Sequence, residues 1–502
     1  MLHKIVETIN NKNGDLMENK WLSAEQSVKD ASEIEPAPVN SALIEKYLGE
    51  NDDFIQRAFH FGQIECRIFC IDGLVKDMIV DENILSPFGE IPEFINCKSE
   101  KRAVKLIEQG YVRHSSVKKV GSLKEAIDGI LGANFVMVFD SERCAFVFDV
   151  KGFESRSIEE PQSESVVGGS KDGFTEPIRL NTAIIRRHIR SHFLVIKQFE
   201  IGTLTKTTVA CVYMKNIADE NNVKEVEKRI KDNKLGFLLS TGQIERILSG
   251  NGKALVPTVL PTERADKLCA NILNGRIAVL TDGYPVAYIA PSNLAMFLQT
   301  PEDYSSVSIY ASFIRIIRYA CLLVNILLPA LYVAVANFSC EILPSKLAQA
   351  IMQAKFGMPF STLTEVVLML IAFEILIESG LRLPNGMGQA VSIVSGLIVG
   401  DAAVSAKLAS PAVVMLTAIA GITSFVLPYQ TLANPLRVIR FFLVLTAAAG
   451  GLFALAIALT LIIIYFNNVE NLSLEFLAPF STGSFKTWFS DTIIRRSFAK
   501  KV

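Results

Sequence analysis

Two long stretches without a charged residue constrain the fold of this chain more than any other feature. Residues 319–338 read YACLLVNILLPALYVAVANF, and residues 441–466 read FFLVLTAAAGGLFALAIALTLIIIYF. A helix needs about 20 consecutive apolar residues to cross the hydrocarbon core of a bilayer. Both stretches reach that length, so the sequence predicts a membrane protein with one spanning helix at each place.

Three further segments lie between these two. Residues 411–427 are uncharged, whereas 362–379 and 387–406 carry acidic residues and could either span the membrane or insert partially. Five crossings from a cytoplasmic start would leave the C-terminal tail outside, although its Lys and Arg residues favour the cytoplasmic side. We therefore expect four crossings and one partial insertion. The tail is then either a basic amphipathic segment on anionic lipid or a solvated, disordered segment.

The chain before about residue 310 has a different composition. It is rich in charged residues, so the overall mean hydropathy of +0.34 and net charge of −1 average over two unlike halves. Its first forty residues contain no apolar stretch of the length that a secretory signal needs, which predicts a cytoplasmic N-terminal region. The six cysteines of this region form no CxxC pair, as is typical of free thiols in a reducing compartment.

The pattern of strands and helices predicts an α+β cytosolic region with two mixed α/β subdomains, followed by an α-helical multi-pass transmembrane domain. No internal repeat is evident. The expected boundaries are a disordered N-terminus at 1–40, subdomain 1 at 41–155, a linker at 156–177, subdomain 2 at 178–300, the membrane domain at 301–480 and the basic tail at 481–502.

The motifs that could indicate catalysis or nucleic-acid binding are weak. GGSKDG lacks the spacing of a phosphate-binding loop and is more typical of a linker, and HIRSH lacks the Glu of a zinc hydrolase. The basic residues Arg186, Arg187 and Arg190 are interpreted as a solvated helix face. We therefore expect no enzyme activity, no cofactor, no metal and no nucleic-acid partner.

Acidic residues inside the apolar half carry the functional hypothesis. Glu374, Glu378 and Arg382 recur every fourth residue, so on a helix they project from nearly one face. A charge at the centre of an isolated helix costs about 2.5 to 3.5 kcal/mol on insertion scales, so Glu365, Glu374 and Asp401 should face protein or water rather than lipid. Glu374 and Glu365 are expected in a polar cavity or at a seam between subunits.

For Glu378 and Arg382 a second interpretation stays open. The two residues could form an ion pair one turn apart near the membrane interface, because Gly380 and Pro384 mark the end of the helix. If several subunits share the acidic face around an axis, however, it would line a water-filled path, which is how cation-conducting pores are built. All five charged residues are candidates for such a face. Helix breaks are expected at Pro329, Gly396 and Gly400.

A series of ordered blocks resembles the A subunit family of bacterial spore germinant receptors (the GerA family). The likeness covers most of the chain from about residue 40 onward. The blocks are KDGFTEPIRLNTAIIRR at 171–187, PTERADK at 261–267, NGRIAVLTDGYPVAYIAP at 274–291, TPEDY at 300–304, SFIRIIRY at 312–319, LLPALYVA at 327–334, ESGLRLP at 378–384 and GQAVSIVSGLIVGDAAV at 388–404.

This resemblance implies a receptor component in the inner membrane of endospores. It implies a transporter-like B subunit and a lipoprotein C subunit as partners, a ring of identical subunits, and passage of monovalent cations once a nutrient has bound. Two alternatives from other classes stay open. The chain could be a secondary transporter, with broken helices at Gly396, Gly400 and Asp401 holding a solute or ion, or a non-conducting signalling scaffold.

Overall fold

Short apolar runs before residue 292 form two antiparallel sheets of five strands each within the described residues. The computed structural model describes residues 34–112, 114–152, 164, 170–250, 254–381, 388–481 and 491–495. These residues form two units. The N-terminal unit consists of the described parts of Met1–Gly252, Val259–Ser292 and Asn471–Ser473, and the C-terminal unit of those of Lys253–Thr258, Asn293–Glu470 and Leu474–Val502.

The first sheet has hydrophobic cores on both faces. All five residues of its central strand β4 are buried, because Phe135, Met137 and Phe139 pack into one core while Val136 and Val138 pack into the other. The strand order is β1-β2-β4-β5-β3. The strands are β1 Phe54–Phe61, β2 Ile64–Ile71, β3 Val117–Val120, β4 Phe135–Phe139 and β5 Cys144–Phe148; the helices are α1 Ser41–Leu48, α2 Glu100–Glu108 and α3 Leu123–Leu131, with short helical segments at Asp77–Ile79, Val80–Leu85, Ser86–Glu90 and Pro92–Ile95.

The second sheet repeats this topology. Its order, β6-β7-β9-β10-β8, is the same when the strands are counted from its own first strand, and in both sheets a helix connects the third strand to the fourth. The sequence showed no repeat, so this duplication is visible only in the structure. The strands are β6 Leu194–Ile201, β7 Thr207–Met214, β8 Leu260–Thr262, β9 Ile277–Thr281 and β10 Ala287–Ala290; the helices are α4 Ile178–His188, α5 Glu220–Lys231, α6 Thr241–Ser249 and α7 Ala265–Leu273.

A buried arginine joins the two halves of the N-terminal unit. The guanidinium of Arg186, on α4, donates to both carboxylate oxygens of Asp53 at 2.8 Å, to Asn51 Oδ1 at 2.7 Å and to the Leu194 carbonyl at 3.1 Å. The side chains of Arg186 and Asp53 are each 2% exposed. The prediction of a solvated basic face is therefore wrong for Arg186, because its partner lies 133 residues earlier in the chain and no local pattern reveals it.

Long apolar helices dominate the C-terminal unit. In the two longest helices, α8 (Ser308–Phe338) and α13 (Gln430–Asn468), only 33% and 22% of the most apolar 18-residue stretch is buried. The core helix of a soluble protein would be mostly buried. Such exposed apolar surface fits a lipid environment. The helices are α8 Ser308–Phe338, α9 Ser345–Lys355, α10 Thr362–Leu381, α11 Gly388–Ser405, α12 Pro411–Val426 and α13 Gln430–Asn468; short segments are Leu294–Leu298, Glu302–Ser305 and Cys340–Ile342, and two-residue strands are Glu470–Asn471 and Leu474–Glu475.

Hydrogen bonds at the helix ends define the directions of the helices. The Thr362 hydroxyl at the start of α10 donates to Asn337 Oδ1, in the last turn of α8, at 2.6 Å. The Ser410 N–H, immediately before α12, donates to Glu365 Oε2 in the first turn of α10 at 2.9 Å. Consequently α10 and α12 begin at the end of the bundle where α8 finishes, and both run antiparallel to α8.

Two consecutive glycines interrupt α13. Gly450 has φ −148° and ψ 22°, and Gly451 has φ +61° and ψ −147°, a combination that is essentially restricted to glycine. They separate a first arm, residues 430–449, from a second arm, residues 452–468. At 1.5 Å per residue the arms are roughly 30 and 25 Å long, so each is close to the thickness of a bilayer core.

Aromatic contacts require the two arms of α13 to be antiparallel. Tyr429 precedes the first arm, and its ring lies 5.8 Å from that of Phe297; Phe297 lies 6.5 Å from Phe476, which lies 5.7 Å from Phe466 near the end of the second arm. The Tyr429 and Phe466 rings are therefore at most about 18 Å apart, whereas a straight helix would separate them by roughly 55 Å. The prediction of one span at 441–466 is wrong, because the helix turns back at its centre.

The helix breaks predicted from proline and glycine lie elsewhere than expected. The helical backbone continues through Pro329 in α8 and through Gly396 and Gly400 in α11. At Gly400 a Cβ atom would lie 3.2 Å from Val414 Cγ1, so this glycine allows close packing of α11 against α12. These three predictions are therefore corrected, and in the described part of α13 the interruption lies at Gly450 and Gly451.

We expect Arg186→Ala to lower the free energy of unfolding of the N-terminal unit by about 3–5 kcal/mol, because Asp53 would remain buried without its counter-ion. Urea denaturation of the full chain in detergent, followed by circular dichroism, measures the loss. Arg190→Ala is the matched control, since Arg190 is exposed just beyond α4, and should change stability by less than about 0.5 kcal/mol. Equal losses from both variants would contradict this role.

Gly451→Ala should destabilise the C-terminal unit by about 1–3 kcal/mol, since the backbone conformation at Gly451 is strained for any residue with a Cβ atom. The added Cβ would also lie 3.0 Å from Phe338 Cβ. In Gly421→Ala the new Cβ would lie an ordinary 3.7 Å from Phe373 Cδ1, so this control should be tolerated. Thermal unfolding in detergent gives the comparison, and an unchanged midpoint for Gly451→Ala would argue against the turn.

Candidate functional site in the apolar helices

An ion pair lies deep among the apolar helices. Arg440 Nη2, on the first arm of α13, donates to Glu374 Oε1 on α10 at 2.5 Å, and Arg437 Nη1 lies 3.6 Å from Glu374 Oε2. Arg440 Nη1 also approaches the Ala420 carbonyl of α12 at 3.5 Å, and the same carbonyl accepts from Asn325 Nδ2 of α8 at 2.9 Å. We call these five residues the polar layer. It connects α8, α10, α12 and α13.

The depth of the polar layer explains why its charges are paired. Glu374 lies twelve residues after the start of α10, and Arg440 ten residues after the start of α13. Glu374 is therefore roughly 18 Å from the start of α10, and Arg440 roughly 15 Å from the start of α13. The lengths of α10 and of the first arm of α13 match a bilayer core of about 30 Å, so both charges lie near its middle. The Arg440 side chain is 1% exposed and that of Glu374 is 25% exposed. Each charge thus neutralises the other where an isolated charge would be costly.

Glu365 lies on the opposite side of α10 from Glu374. Nine residues separate them, which is a rotation of about 180° on an α-helix. Glu365 is fully buried and accepts the Ser410 N–H, so its carboxylate caps the N-terminal end of α12, where the helix dipole favours a negative charge. Glu365 therefore faces protein, which is one of the two environments that the sequence analysis allowed. It does not share a face with Glu374.

The remaining candidates differ in exposure. Glu378 is exposed one turn beyond Glu374 on the same side of α10, and Asp401 is exposed on α11. In the part of the chain that the structure describes, Asp401 has no ion pair. Arg382 lies outside the described residues. The structure thus brings Glu374 and Glu378 to one side of α10 and places Asp401 on a neighbouring helix.

A second charged network surrounds the start of α8. Arg315 Nε donates to Asp303 Oδ2 at 3.1 Å, and Arg318 Nη1 contacts both oxygens of Asp303 at 2.8 and 2.9 Å. Arg315 Nη1 also donates to the backbone carbonyl and to Oδ1 of Asp491 at 2.8 and 3.2 Å. Asp303 and Arg315 are almost completely buried. These four residues, here called the entry network, hold the segment at 491–495 against the beginning of α8.

Tyr304 lies beside the entry network and acts as a neutral donor to it. Burial, together with the nearby Asp491 carboxylate, raises the pKa of Tyr304 to about 12. A phenol is neutral at pH 7 even at its ordinary pKa near 10, and the Tyr304 hydroxyl donates to Asp491 Oδ2 at 3.3 Å. The Arg315 guanidinium is 5.3 Å from the centre of the Tyr304 ring, which adds a cation–π contact.

The sequence indicated only some of these residues. Arg437 and Arg440 stand just before the apolar run 441–466 in the sequence, yet they lie within the first arm of α13. The entry network was also missed, but a signal was available. TPEDY contains two carboxylates, of which Asp303 joins the network, and SFIRIIRY contains two arginines three residues apart, hence on one face of an apolar helix.

The fold and these charge pairs define a membrane protein with an α/β N-terminal region and a helical C-terminal region. The family model described as Bacillus/Clostridium GerA spore germination protein matches residues 42–502, so the chain belongs to the GerA family of spore germination proteins. It is 32% identical over 460 residues to spore germination protein B1 of Bacillus subtilis (strain 168), an alignment that covers 91% of this chain and 94% of that protein.

Two further proteins are similar to this chain. The uncharacterized membrane protein YfkQ of Bacillus subtilis (strain 168) is 32% identical over 482 residues, covering 94% of this chain and 93% of its own length. The crystal structure of the N-terminal domain of the A subunit of the Bacillus megaterium spore germinant receptor GerK3 is 25% identical, covers 51% of this chain and 98% of its own, and gives a TM-score of 0.41.

Replacing Arg440 tests the polar layer. We expect Arg440→Gln to destabilise the C-terminal unit by about 3 kcal/mol, because Glu374 loses its closest counter-ion in a low-dielectric surrounding. Arg437→Gln is the comparison variant and should cost less, since Arg437 lies 3.6 Å from the carboxylate. The double variant Glu374→Arg with Arg440→Glu should recover part of the loss. Thermal unfolding in detergent measures all three, and no difference between the two single variants would contradict the assignment.

Proposed function

We propose that this chain is a membrane subunit of a nutrient germinant receptor that triggers spore germination, and that it works as an oligomeric, ligand-gated cation channel. Membership of the GerA family supports the role in germination. The channel activity is our interpretation of the charges in the apolar helices. The observation that carries it is the exposed carboxylate of Asp401 on α11, because a carboxylate on a lipid-facing surface is strongly disfavoured.

The proposed cation path is lined by Asp401 and Glu378. Both are exposed on the single chain, so further copies around an axis would let each residue face water and its own counterparts, as in rings of acidic side chains that attract cations. Glu365 and Glu374 have another role in this proposal. Glu365 is inside the chain and Glu374 is paired with Arg440, so they support the helices on which the path depends.

The topology we propose has an even number of membrane passes. Arg315, near the start of α8, binds Asp491, so the C-terminal segment and the beginning of the first span share one side. Six passes agree with this: α8, α10, α11, α12 and the two arms of α13. This replaces the expected four passes and one partial insertion. We further propose that the N-terminal region is cytoplasmic and that the protein resides in the spore inner membrane.

The proposed partners follow from the family. They are a transporter-like B subunit, a lipoprotein C subunit, further copies of this chain in a ring, membrane lipid and monovalent cations. The alternative of a secondary transporter relied on broken helices at Gly396 and Gly400, and α11 is continuous at both. A non-conducting scaffold would need no exposed carboxylate on a membrane helix, which is why the channel is preferred.

Potassium release from liposomes that contain the purified oligomer tests this proposal. Asp401→Asn and Glu378→Gln should each lower permeation by about tenfold, because carboxylates in a narrow path concentrate cations. Glu341→Gln is the matched control, since Glu341 is an exposed carboxylate outside the long helices, and should leave permeation unchanged. Normal assembly with wild-type permeation in both test variants would remove the pore assignment, and saturable solute exchange would instead support a transporter.

A further inference from the structure

Helix α9 and its flanking residues expose an unusual amount of apolar surface. Phe356 is 90% exposed and Ile342 is 66% exposed, and Leu347, Met352 and Phe360 are exposed as well. We call these five residues the α9 surface. α9 contains no buried residue. Neither crossing a bilayer nor packing within the chain accounts for this surface.

Contacts place α9 at one end of the helical bundle. Lys355, in the last turn of α9, donates to the Thr362 hydroxyl, which in turn donates to Asn337 in the last turn of α8. The turn of α13 lies at the same end, because a Cβ atom on Gly451 would lie 3.0 Å from Phe338. α9 therefore lies where α8 ends, α10 begins and the two arms of α13 meet.

This end corresponds to a membrane boundary. From Arg318 of the entry network to Phe338, α8 rises over about 30 Å, which is the thickness of the hydrocarbon core. The α9 surface is thus at the bilayer boundary opposite the entry network. It also continues the exposed apolar surface of α8, where Leu331 and Phe338 are exposed in the last two turns.

The pattern of α9 fits a helix parallel to the membrane. Lys346, Gln349 and Gln353 are all exposed and fall within about 60° of one another around the helix, so they form one polar face. Leu347 and Met352 lie on either side of the half-buried face. A polar stripe directed away from apolar residues is typical of interfacial helices.

From these observations we propose that the α9 surface binds the lipid bilayer, with Phe356 and its neighbours inserted between the headgroups and the acyl chains. The bilayer is favoured over a protein partner because this surface continues the lipid-covered surface of α8. The exposed amines of Lys346 and Lys407 at the same end suit anionic headgroups. This anchor does not depend on cation permeation.

Fluorescence quenching by lipid tests the anchor. The full chain is prepared with Trp21 and Trp488 replaced by Phe, so that the added residue is its only tryptophan, and this tryptophan is excited selectively over tyrosine. It is reconstituted into phosphatidylcholine and phosphatidylglycerol vesicles with brominated acyl chains. For Phe356→Trp we expect blue-shifted emission and about twofold or greater quenching. Gln353→Trp, on the polar face of the same helix, should emit at longer wavelength with little quenching.

The other outcomes overturn the proposal. Unquenched, red-shifted emission from Phe356→Trp would place the α9 surface in water. Unquenched but blue-shifted emission would show that protein covers it, either a second copy or another subunit. Met352→Trp provides an independent position with the same expected quenching, so a folding defect in Phe356→Trp does not leave the question open.

Discussion

The C-terminal unit depends on the pairing of Glu374 with Arg440. The pair lies near the middle of helices that match the thickness of a bilayer, where neither charge could remain alone. Because its members belong to α10 and to the first arm of α13, the pair fixes the rotation of both helices. The Ala420 carbonyl extends the constraint to α12 and, through Asn325, to α8. Four helices are thus held by one small group of polar atoms.

The division of roles among the acidic residues follows from helix geometry. Glu365 and Glu374 are half a turn apart in rotation, so one residue caps α12 while the other binds α13. Only Glu378 and Asp401 of the described acidic candidates stay exposed on the long apolar helices. Glu365 and Glu374 on α10 are thus bound within the chain, whereas Glu378 on the same helix and Asp401 on α11 are exposed.

The sequence predicted the features that depend on local composition. The apolar run at 319–338 lies within α8, and the mixed segments form the two α/β halves. The cost of a charge in lipid indicated that Glu365 and Glu374 would face protein or water. Features that depend on distant partners were not predictable. Arg440 lies 66 residues from Glu374, and Arg186 lies 133 residues from Asp53. The turn at Gly450 and Gly451 was missed because average hydropathy is insensitive to two small residues inside an apolar run.

The common strand order of the two sheets has an evolutionary meaning. Two halves with the same arrangement of strands and connecting helix are what the duplication of one ancestral unit would produce. The bond between Arg186 and Asp53 connects the first half to the second. Asp53 directly precedes β1, whereas Phe193 stands at the corresponding position before β6. The second half therefore has no carboxylate at this position. The two halves therefore share a strand order but not their contact residues, so the same arrangement of strands presents a different surface in each.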